Sequence, residues 1–534
     1  MNGSIWGPLY TQYSQKSFEP QTSEVSQDQE DQFYDQHKVP HIGIIENWLC
    51  DYDPSCPDPT ALGTRGTLET IGGYMLAANT PYVPKHYHGF LCIRYLLHSA
   101  ALSYIERAEQ LDEFFTSLPD EAEWTYECEA AAFTALDIIA EETRNTDSFE
   151  DFCRKEQQGA VLMMDIERGG MNGSLLIDVL WQDRSSLMAL HSRGLLPGIA
   201  IMLYMAWNLP QATLYEERQD SAFLLQELIL RICLVGSHRD RQILQPLLIY
   251  AVKISPPPRA DRSVHFINSE DSAFIRRAYS GLVYVWQQSA PIIRVVNITL
   301  MTCLTELTMY TSLSDPATTI EEHIDMIGVA ILLAWLILEH RGQVAQNEYA
   351  EIWLFCIITL RWLRFIDAQD DLTEAHWRKL AKMISESQLV GLLGRLILLP
   401  WTEGGGLEYA TEFEIFLERI NSFEEILGDA VAAAPDLFEE LRLEWIKTAS
   451  GLGIRSLLQP DMLHLSAMKA SRTWEKYLTA LPPPRLGAQL CSYPRCIRPH
   501  TRETATGRMP SGVSTLESHA ISAEHFNNSA MLYS

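Results

Sequence analysis

Apolar residues recur at intervals of three and four along most of this chain, with polar residues between them. One stretch shows the pattern together with its boundary: Asp315 and Pro316 supply a cap residue and a first-turn proline ahead of an apolar run from Met326 to Leu338. The next stretch, from Tyr349 to Leu363, carries its apolar residues along a single stripe. A helix that is apolar on nearly every side, beside one that is apolar on one face, is typical of a layered all-helical protein.

The same spacing predicts sixteen helices, and no strand-type alternation is sustained beyond a few residues. We expect the all-α class in an armadillo/HEAT-like helical array, either an α-solenoid or a multi-helix globule, with disordered termini. Helix pairs recur at roughly the 40–47-residue interval of armadillo and HEAT units, although no repeated consensus aligns from unit to unit. The predicted helices cover residues 88–116, 121–143, 147–166, 173–192, 196–208, 212–236, 239–254, 270–287, 292–312, 316–341, 346–367, 373–385, 388–400, 409–427, 434–450 and 461–480.

Three regions are expected along the chain. Residues 1–60 form a mostly disordered acidic segment, because ten acidic side chains stand against two lysines and few aliphatic residues offset the ordering entropy. Within it, the apolar piece 42–49 is expected to dock onto the helical body. Residues 61–481 form the all-helical array, with an internal break near 255–272, where three consecutive prolines interrupt the pattern. Residues 482–534 form a proline-rich link and a tail.

Composition and charge narrow the function classes. With 41 Lys and Arg against 69 Asp and Glu, the formal net charge is −28, and so acidic a surface repels phosphate backbones, so we expect no nucleic-acid partner. The 13-residue apolar run that ends at Leu338 is shorter than the roughly 20 residues of a membrane span, which predicts no membrane partner. Residues 1–20 lack the basic and apolar regions of a signal peptide. Scattered single cysteines then favour a reducing compartment, cytoplasmic or nuclear.

A cysteine pair follows the proline-rich link near the C-terminal end. After Pro482–Pro484 the chain reads Cys491-Ser-Tyr-Pro-Arg-Cys496, which is a Cys-x-x-Pro-x-Cys motif. A long helical body, a short proline-rich link and this motif together resemble a group of large fungal proteins with a C-terminal MYND-type zinc finger. The resemblance implies a finger that opens with Cys491 and Cys496, continues with further cysteine pairs and closes with histidine and cysteine ligands to zinc.

The sequence departs from that pattern after the first pair. No cysteine follows Cys496, and His500, His519 and His525 lack the spacing of the closing ligands. Two thiolates do not complete a tetrahedral zinc site, and zinc supplies the folding energy of such modules. We therefore expect a truncated MYND-like stub followed by a disordered tail, with an incomplete metal site at Cys491 and Cys496. Zinc is expected only if the finger is completed.

Asp367, Asp370 and Asp371 place three aspartates within five positions at a helix end, and carboxylates grouped in this way hold magnesium in helical terpenoid cyclases. The order is the reverse of the Asp-Asp-x-x-Asp motif of those enzymes, and no second ligand set follows. We interpret the group as a solvated acidic loop that caps the next helix. The alternative function, an all-helical enzyme with an interhelical pocket for an apolar substrate, would use these three residues first.

Two other groups have simple structural explanations. His86 and His88 diverge if they lie on a helix, so no metal pair is expected there. Arg361, Trp362 and Arg364 form a cationic, aromatic spot on one helix, which snorkelling around a core seam explains without a ligand. No His-Glu-x-x-His, Gly-x-Ser-x-Gly or P-loop motif occurs. The sequence therefore predicts no catalytic and no cofactor-binding residue.

The sequence favours a non-enzymatic protein–protein interaction scaffold whose protein partners it does not identify. Stacked helices offer a long surface for partners without catalytic machinery. This is an inference from fold class, and fold alone does not specify function. The MYND resemblance further implies that the chain derives from a MYND-finger-type protein and has lost the peptide-binding finger.

Overall fold

A computed structural model describes most of the predicted helical body. The chain divides into two units, Met1–Ala488 and Gln489–Ser534, and every described residue lies in the first. The predicted helix 147–166 lies outside the described residues, as do the three prolines of the predicted internal break. The described residues are 45, 49, 86–119, 124–144, 173–208, 219–254, 269–288, 297–340, 348–369, 372–398, 410–438, 446, 448–449 and 468–476.

In the described ranges, fifteen α-helices and one 3-10 helix have defined bounds, residues 468–476 are also helical, and no β-strand occurs, which confirms the predicted all-α class. The α-helices are α1 Tyr87–Arg107, α2 Leu111–Ser117, α3 Trp124–Arg144, α4 Gly173–Gln182, α5 Arg184–Ser192, α6 Ile199–Asn208, α7 Gln219–Val235, α8 His238–Ile254, α9 Ser269–Gln288, α10 Ile298–Ser314, α11 Ile320–His340, α12 Tyr349–Asp367, α13 Glu374–Glu386, α14 Leu389–Leu398 and α15 Ala410–Ala433, and the 3-10 helix is Pro435–Phe438.

Consecutive helices pair as antiparallel hairpins. Ser272, at the start of α9, donates its hydroxyl to the carbonyl oxygen of Thr311 at the end of α10, at 3.1 Å. Trp362, near the end of α12, donates its indole N–H to Nδ1 of His323 at the start of α11, also at 3.1 Å. A contact between the start of one helix and the end of the next requires the two helices to run in opposite directions.

The hairpins stack so that like members run parallel. We call α7, α9, α11 and α13 layer A, and α8, α10, α12 and α15 layer B, since neighbours within each series are in contact. In layer A, Lys379 and Asp325, each the sixth residue of its helix, form an ion pair at 2.7 Å. In layer B, Arg361 and Tyr310, each the thirteenth residue of its helix, share a hydrogen bond at 3.3 Å. Antiparallel pairs stacked in parallel register confirm the predicted helical array.

The repeat is longer than the sequence pattern indicated. Layer A helices begin at Gln219, Ser269, Ile320 and Glu374, which are 50, 51 and 54 residues apart, against about 40–47 residues for armadillo and HEAT units. The connecting segments account for the extra length between hairpins, and α14 is inserted between the two long helices of the last one.

Helix α10 is buried on most sides because α7, α8, α9, α11 and α12 all contact it. Its threonines recur every third residue and bury their hydroxyls without leaving a donor unpaired. Thr302, Thr305, Thr308 and Thr311 each donate to the carbonyl oxygen four residues earlier, at 2.8–2.9 Å. A polar side chain that satisfies itself within its own helix can lie in an apolar core at little cost.

One hydrophobic core runs through the described helices and includes residues outside them. Ile45 and Leu49 are fully buried in helical conformation, four residues apart, and belong to this core. The prediction that the apolar piece 42–49 docks onto the helical body is confirmed for these two residues. Trp474 closes the same core from the other end of the described chain. Among the described helices, none has both the length and the apolar content needed to cross a bilayer.

Two predicted helices are each divided in the structure. The predicted helix 88–116 breaks after Arg107, where Glu109 has a positive φ of 58° and Gln110 donates its backbone N–H to the carbonyl of Ile105 at 3.1 Å. This is a Schellman-type helix end, in which glycine is the usual residue at positive φ. Position 109 is a glutamate, so no glycine marks this helix end in the sequence. The predicted helix 173–192 likewise ends and restarts at Asp183, between α4 and α5.

Glycine at position 109 should stabilise the fold. Glu109→Gly removes the steric cost of a β-carbon at positive φ, so we expect the free energy of unfolding to rise by about 1 kcal/mol. Glu129→Gly, at an exposed position inside α3, is the matched control and should lose about 1 kcal/mol. Chemical denaturation measures the free energy of unfolding of both variants. A decrease in Glu109→Gly would contradict the positive φ at position 109.

Candidate functional site

The predicted metal residues and two of the three aspartates cannot be placed. Cys491 and Cys496 lie outside the described residues, and so do Asp370 and Asp371. Asp367 is the last residue of α12 and is half-buried. In the part of the chain that is described, no group of three or more His, Cys, Asp and Glu side chains is placed to hold a metal ion.

Asp367 lies beside two carboxylates of α15. Burial raises its pKa, and the nearby charges of Asp429 and Glu425 raise it further, while Arg364 opposes them. The structure therefore brings Asp367 to a corner between two layer B helices. Among the described residues of this corner, the alternative enzyme could use one feature, a carboxyl group with a raised pKa.

The two histidines near the start of α1 do not form a pair. His86 precedes α1 in extended conformation, whereas His88 is buried within the helix. Nδ1 of His88 lies 3.6 Å from the sulfur of Cys92, one turn later in the same helix. Their side chains therefore belong to different environments.

The described cysteines are buried and carry no disulfide. Burial raises the pKa of the thiols of Cys92, Cys233 and Cys356 above the usual range, and it raises that of Cys303 to about 12. A nucleophilic cysteine needs a thiolate in an accessible, electropositive setting. These thiols act as small apolar groups in the core.

A half-buried serine meets a buried aspartate and a buried histidine where α7 joins α8. Ser237 donates its hydroxyl and its backbone N–H to Oδ2 of Asp240, each at 2.7 Å, and accepts the backbone N–H of Asp240 at 3.2 Å. Nε2 of His191 lies 3.4 Å from the same oxygen of Asp240. In a catalytic triad the imidazole lies between hydroxyl and carboxylate, whereas here the carboxylate lies between them. The group caps the start of α8 and fastens it to α5.

Gly236 permits this contact. A β-carbon at position 236 would lie 2.7 Å from the carbonyl oxygen of Ile232 and 2.9 Å from Nε2 of His191, closer than such atoms approach. The chain therefore needs glycine at the turn that leads from α7 into α8.

The most deeply buried charges surround Asp271, at the start of α9. Its Oδ2 accepts from Nε of Arg184 on α5 at 2.7 Å and from Nη2 of Arg231 on α7 at 3.2 Å. Arg231 also pairs with Glu227 at 2.5 Å. Both guanidinium groups lie over the ring of Trp181, with their central carbons 4.4 and 4.8 Å from its centroid. This cluster joins four helices and is balanced in charge, which suits a structural joint.

The sequence reasoning did not find the Asp271 cluster. One signal was present: Arg231 interrupts an otherwise apolar run from Leu228 to Val235, where a solvated arginine would be out of place. Its partner, Asp271, is 40 residues away and resembles any other helix-start aspartate.

The exposed side of α12 combines apolar and cationic side chains. Leu354, Arg361, Arg364 and Phe365 share this side by helical spacing, and Tyr310 extends it onto α10 through its hydrogen bond with Arg361. We call these five residues the α12 face. Leu354 is 51% exposed and Phe365 is 37% exposed. Trp362, which the sequence grouped with the two arginines, points the other way and is fully buried against His323.

The two arginines of the α12 face differ from the buried arginines in their contacts with described carboxylates. Neither Arg361 nor Arg364 forms an ion pair within the described ranges, whereas Arg184, Arg231 and Arg276 each bind a carboxylate. Snorkelling around a core seam therefore describes where the arginines lie, and Arg364 is close enough to Asp367 to oppose the rise in its pKa without forming an ion pair.

The chain matches no protein-family model, no curated protein and no solved structure. The resemblance to MYND-finger proteins therefore stays a prediction.

Removing the charge of Asp271 should be costly. Asp271→Asn leaves Arg184 and Arg231 facing each other without a full counter-charge in the core, so we expect a loss of roughly 3–5 kcal/mol in the free energy of unfolding. Asp325→Asn breaks an ion pair whose aspartate is 63% exposed and should cost less than about 1 kcal/mol. Denaturant titration compares the two, and equal losses would show that the Asp271 cluster is not a joint.

The fold should weaken on mild acidification. Burial, with a smaller contribution from Arg276, lowers the pKa of His323 from 6.5 to about 4, although Glu322 and Asp315 oppose this. The unfolded chain therefore takes up the proton first, and stability present above pH 6.5 is lost as the pH falls toward 4. Between pH 7 and 4.5 we expect the wild type to lose roughly 2 kcal/mol more than His323→Gln.

A second histidine tests the same effect. Burial and Arg94 lower the pKa of His98 to about 4, against an opposing effect of Glu127. His98→Gln should reduce the acid sensitivity in the same way, measured by urea unfolding at both pH values. An unchanged pH dependence in both variants would contradict burial of neutral histidines.

Proposed function

We propose that this chain is a non-enzymatic scaffold that binds other proteins along its stacked helices, in the cytoplasm or the nucleus. The α12 face is the observation that carries the proposal. Large apolar side chains exposed together on one helix of a layered array mark interaction sites more often than isolated ones do. Stacked hairpins also give this face a rigid support, which limits the entropy lost on binding.

Buried groups support a scaffold over a catalyst. The Ser237, Asp240 and His191 group has the order of a helix cap, and the carboxylate of Asp271 is held by two arginines. The five described thiols are buried and reduced, which fits the proposed compartment. Derivation from a MYND-finger protein, and zinc at Cys491 and Cys496 if that finger is completed, remain part of this proposal.

The second candidate is an all-helical enzyme that acts on an apolar substrate. Its support is the raised pKa of Asp367 beside Asp429 and Glu425, since a protonated carboxyl group can act as a general acid. This geometry favours the enzyme less than the scaffold, because three neighbouring carboxylates form a polar corner and not the pocket that an apolar substrate needs.

Matched surface variants test the scaffold. The double variant Leu354→Asp/Phe365→Asp places charges on the α12 face, and Tyr284→Asp/Val285→Asp does the same at α9, where the side chains are 62% and 51% exposed. We expect a reproducible set of proteins to co-purify with the wild type. Quantitative mass spectrometry should show their amounts reduced at least tenfold with the first variant and unchanged with the second. Identical sets for both variants and the wild type would contradict binding at this face.

A further inference from the structure

We propose that the α12 face binds an acidic, apolar peptide segment of a partner protein, with Arg361 and Arg364 holding its carboxylates. This inference rests on the proposed scaffold function and names the chemistry of the partner. The two guanidinium groups are exposed, and Leu354 and Phe365 lie beside them on the same side of the helix.

Charge complementarity identifies the ligand. The chain carries a net charge of −28, yet the two charged residues of the α12 face are both arginines, and neither forms an ion pair with a described carboxylate. A guanidinium binds a carboxylate through two parallel hydrogen bonds, which makes it the preferred group for carboxylate recognition. Arg361 is already oriented, since its Nη2 donates to the hydroxyl of Tyr310 at 3.3 Å.

The apolar residues indicate that the ligand also has apolar side chains. Leu354 and Phe365 are eleven positions apart, which is about 16 Å along a helix. The arginines lie between and beside them, so one ligand can contact both kinds of group. An extended segment of roughly five residues spans this distance at about 3.3 Å per residue. Side chains on one side of such a segment can then cover the leucine and the phenylalanine.

The surroundings of the face favour a narrow ligand over a flat anionic membrane. Glu351 lies one turn from Leu354 on α12, Glu306 is on the neighbouring α10, and Asp367 follows Phe365 at the end of α12. A bilayer that touched the arginines would also bring its charges within a Debye length of about 8 Å from these carboxylates. A peptide can contact the arginines without covering these three half-buried residues.

The test uses the full-length protein and a random 12-residue peptide library displayed on phage. Peptides enriched on the wild type are synthesised, and their affinities are measured by fluorescence anisotropy against Arg361→Glu/Arg364→Glu. We expect enriched peptides with two or more Asp or Glu residues next to an apolar residue, and a loss of affinity of at least tenfold in the double variant. Arg361→Gln/Arg364→Gln should fall between the two, and higher salt should weaken binding to the wild type.

Arg277→Glu is the matched control, because Arg277 is an exposed arginine of α9 whose Nε donates to the carbonyl oxygen of Ala273 in the same helix. This variant should bind the same peptides within about twofold of the wild type. Circular dichroism and thermal melts establish that all variants are folded, as expected for exposed positions.

Four results would overturn the proposal. Enriched peptides that lack acidic residues, or that bind the double variant as tightly as the wild type, would show that the arginines are not the recognition groups. Absence of enrichment over the double variant would show that no peptide binds here. Flotation with phosphatidylserine vesicles that depends on Arg361 and Arg364 would assign the face to membranes. Loss of partners from Leu354→Asp/Phe365→Asp alongside any of these results would leave the scaffold function standing while removing its acidic ligand.

Discussion

The buried carboxylate of Asp271 is the contact on which the packing around α9 depends. This single carboxylate accepts hydrogen bonds from Arg184 and Arg231, so α5 and α7 are fastened to the start of α9. The next residue, Ser272, binds the end of α10, and Arg276 one turn later contacts Asp315 and Thr318 ahead of α11. Within two turns of α9, contacts therefore reach helices before and after it. Because these charges are shielded from water, each needs its partner to offset the cost of its burial.

Local satisfaction of polar groups allows the rest of the core to be apolar. The threonines of α10 donate within their own helix, and Ser237 and Asp240 satisfy the free backbone groups at the start of α8. Such groups need no partner from another layer, so the layers can meet through leucine, isoleucine and aromatic contacts. Parallel register between like helices follows, since each hairpin offers the next one a similar apolar side.

The arginines show how one residue type serves two purposes in this fold. Arg184, Arg231 and Arg276 are buried in joints, where each is matched to a carboxylate. Arg361 and Arg364 lie on the outside of α12 beside exposed apolar groups. A surface that is acidic in total is therefore not uniform, and its cationic positions distinguish the α12 face from the helices around it. This contrast, together with the rigid layers beneath, is the basis of the interaction function proposed for the α12 face.

The sequence by itself determined the helical class and most helix positions, because apolar spacing, prolines and cap residues act within a few residues of one another. It also indicated the buried piece around Ile45 and Leu49. It could not show the helix end at Glu109, where a residue other than glycine takes a positive φ under local packing. Nor could it separate the buried arginines from the exposed ones. Arg184 and Arg231 meet Asp271 across 87 and 40 residues, and only the stacking of helices brings such distant charges together and leaves others facing solvent.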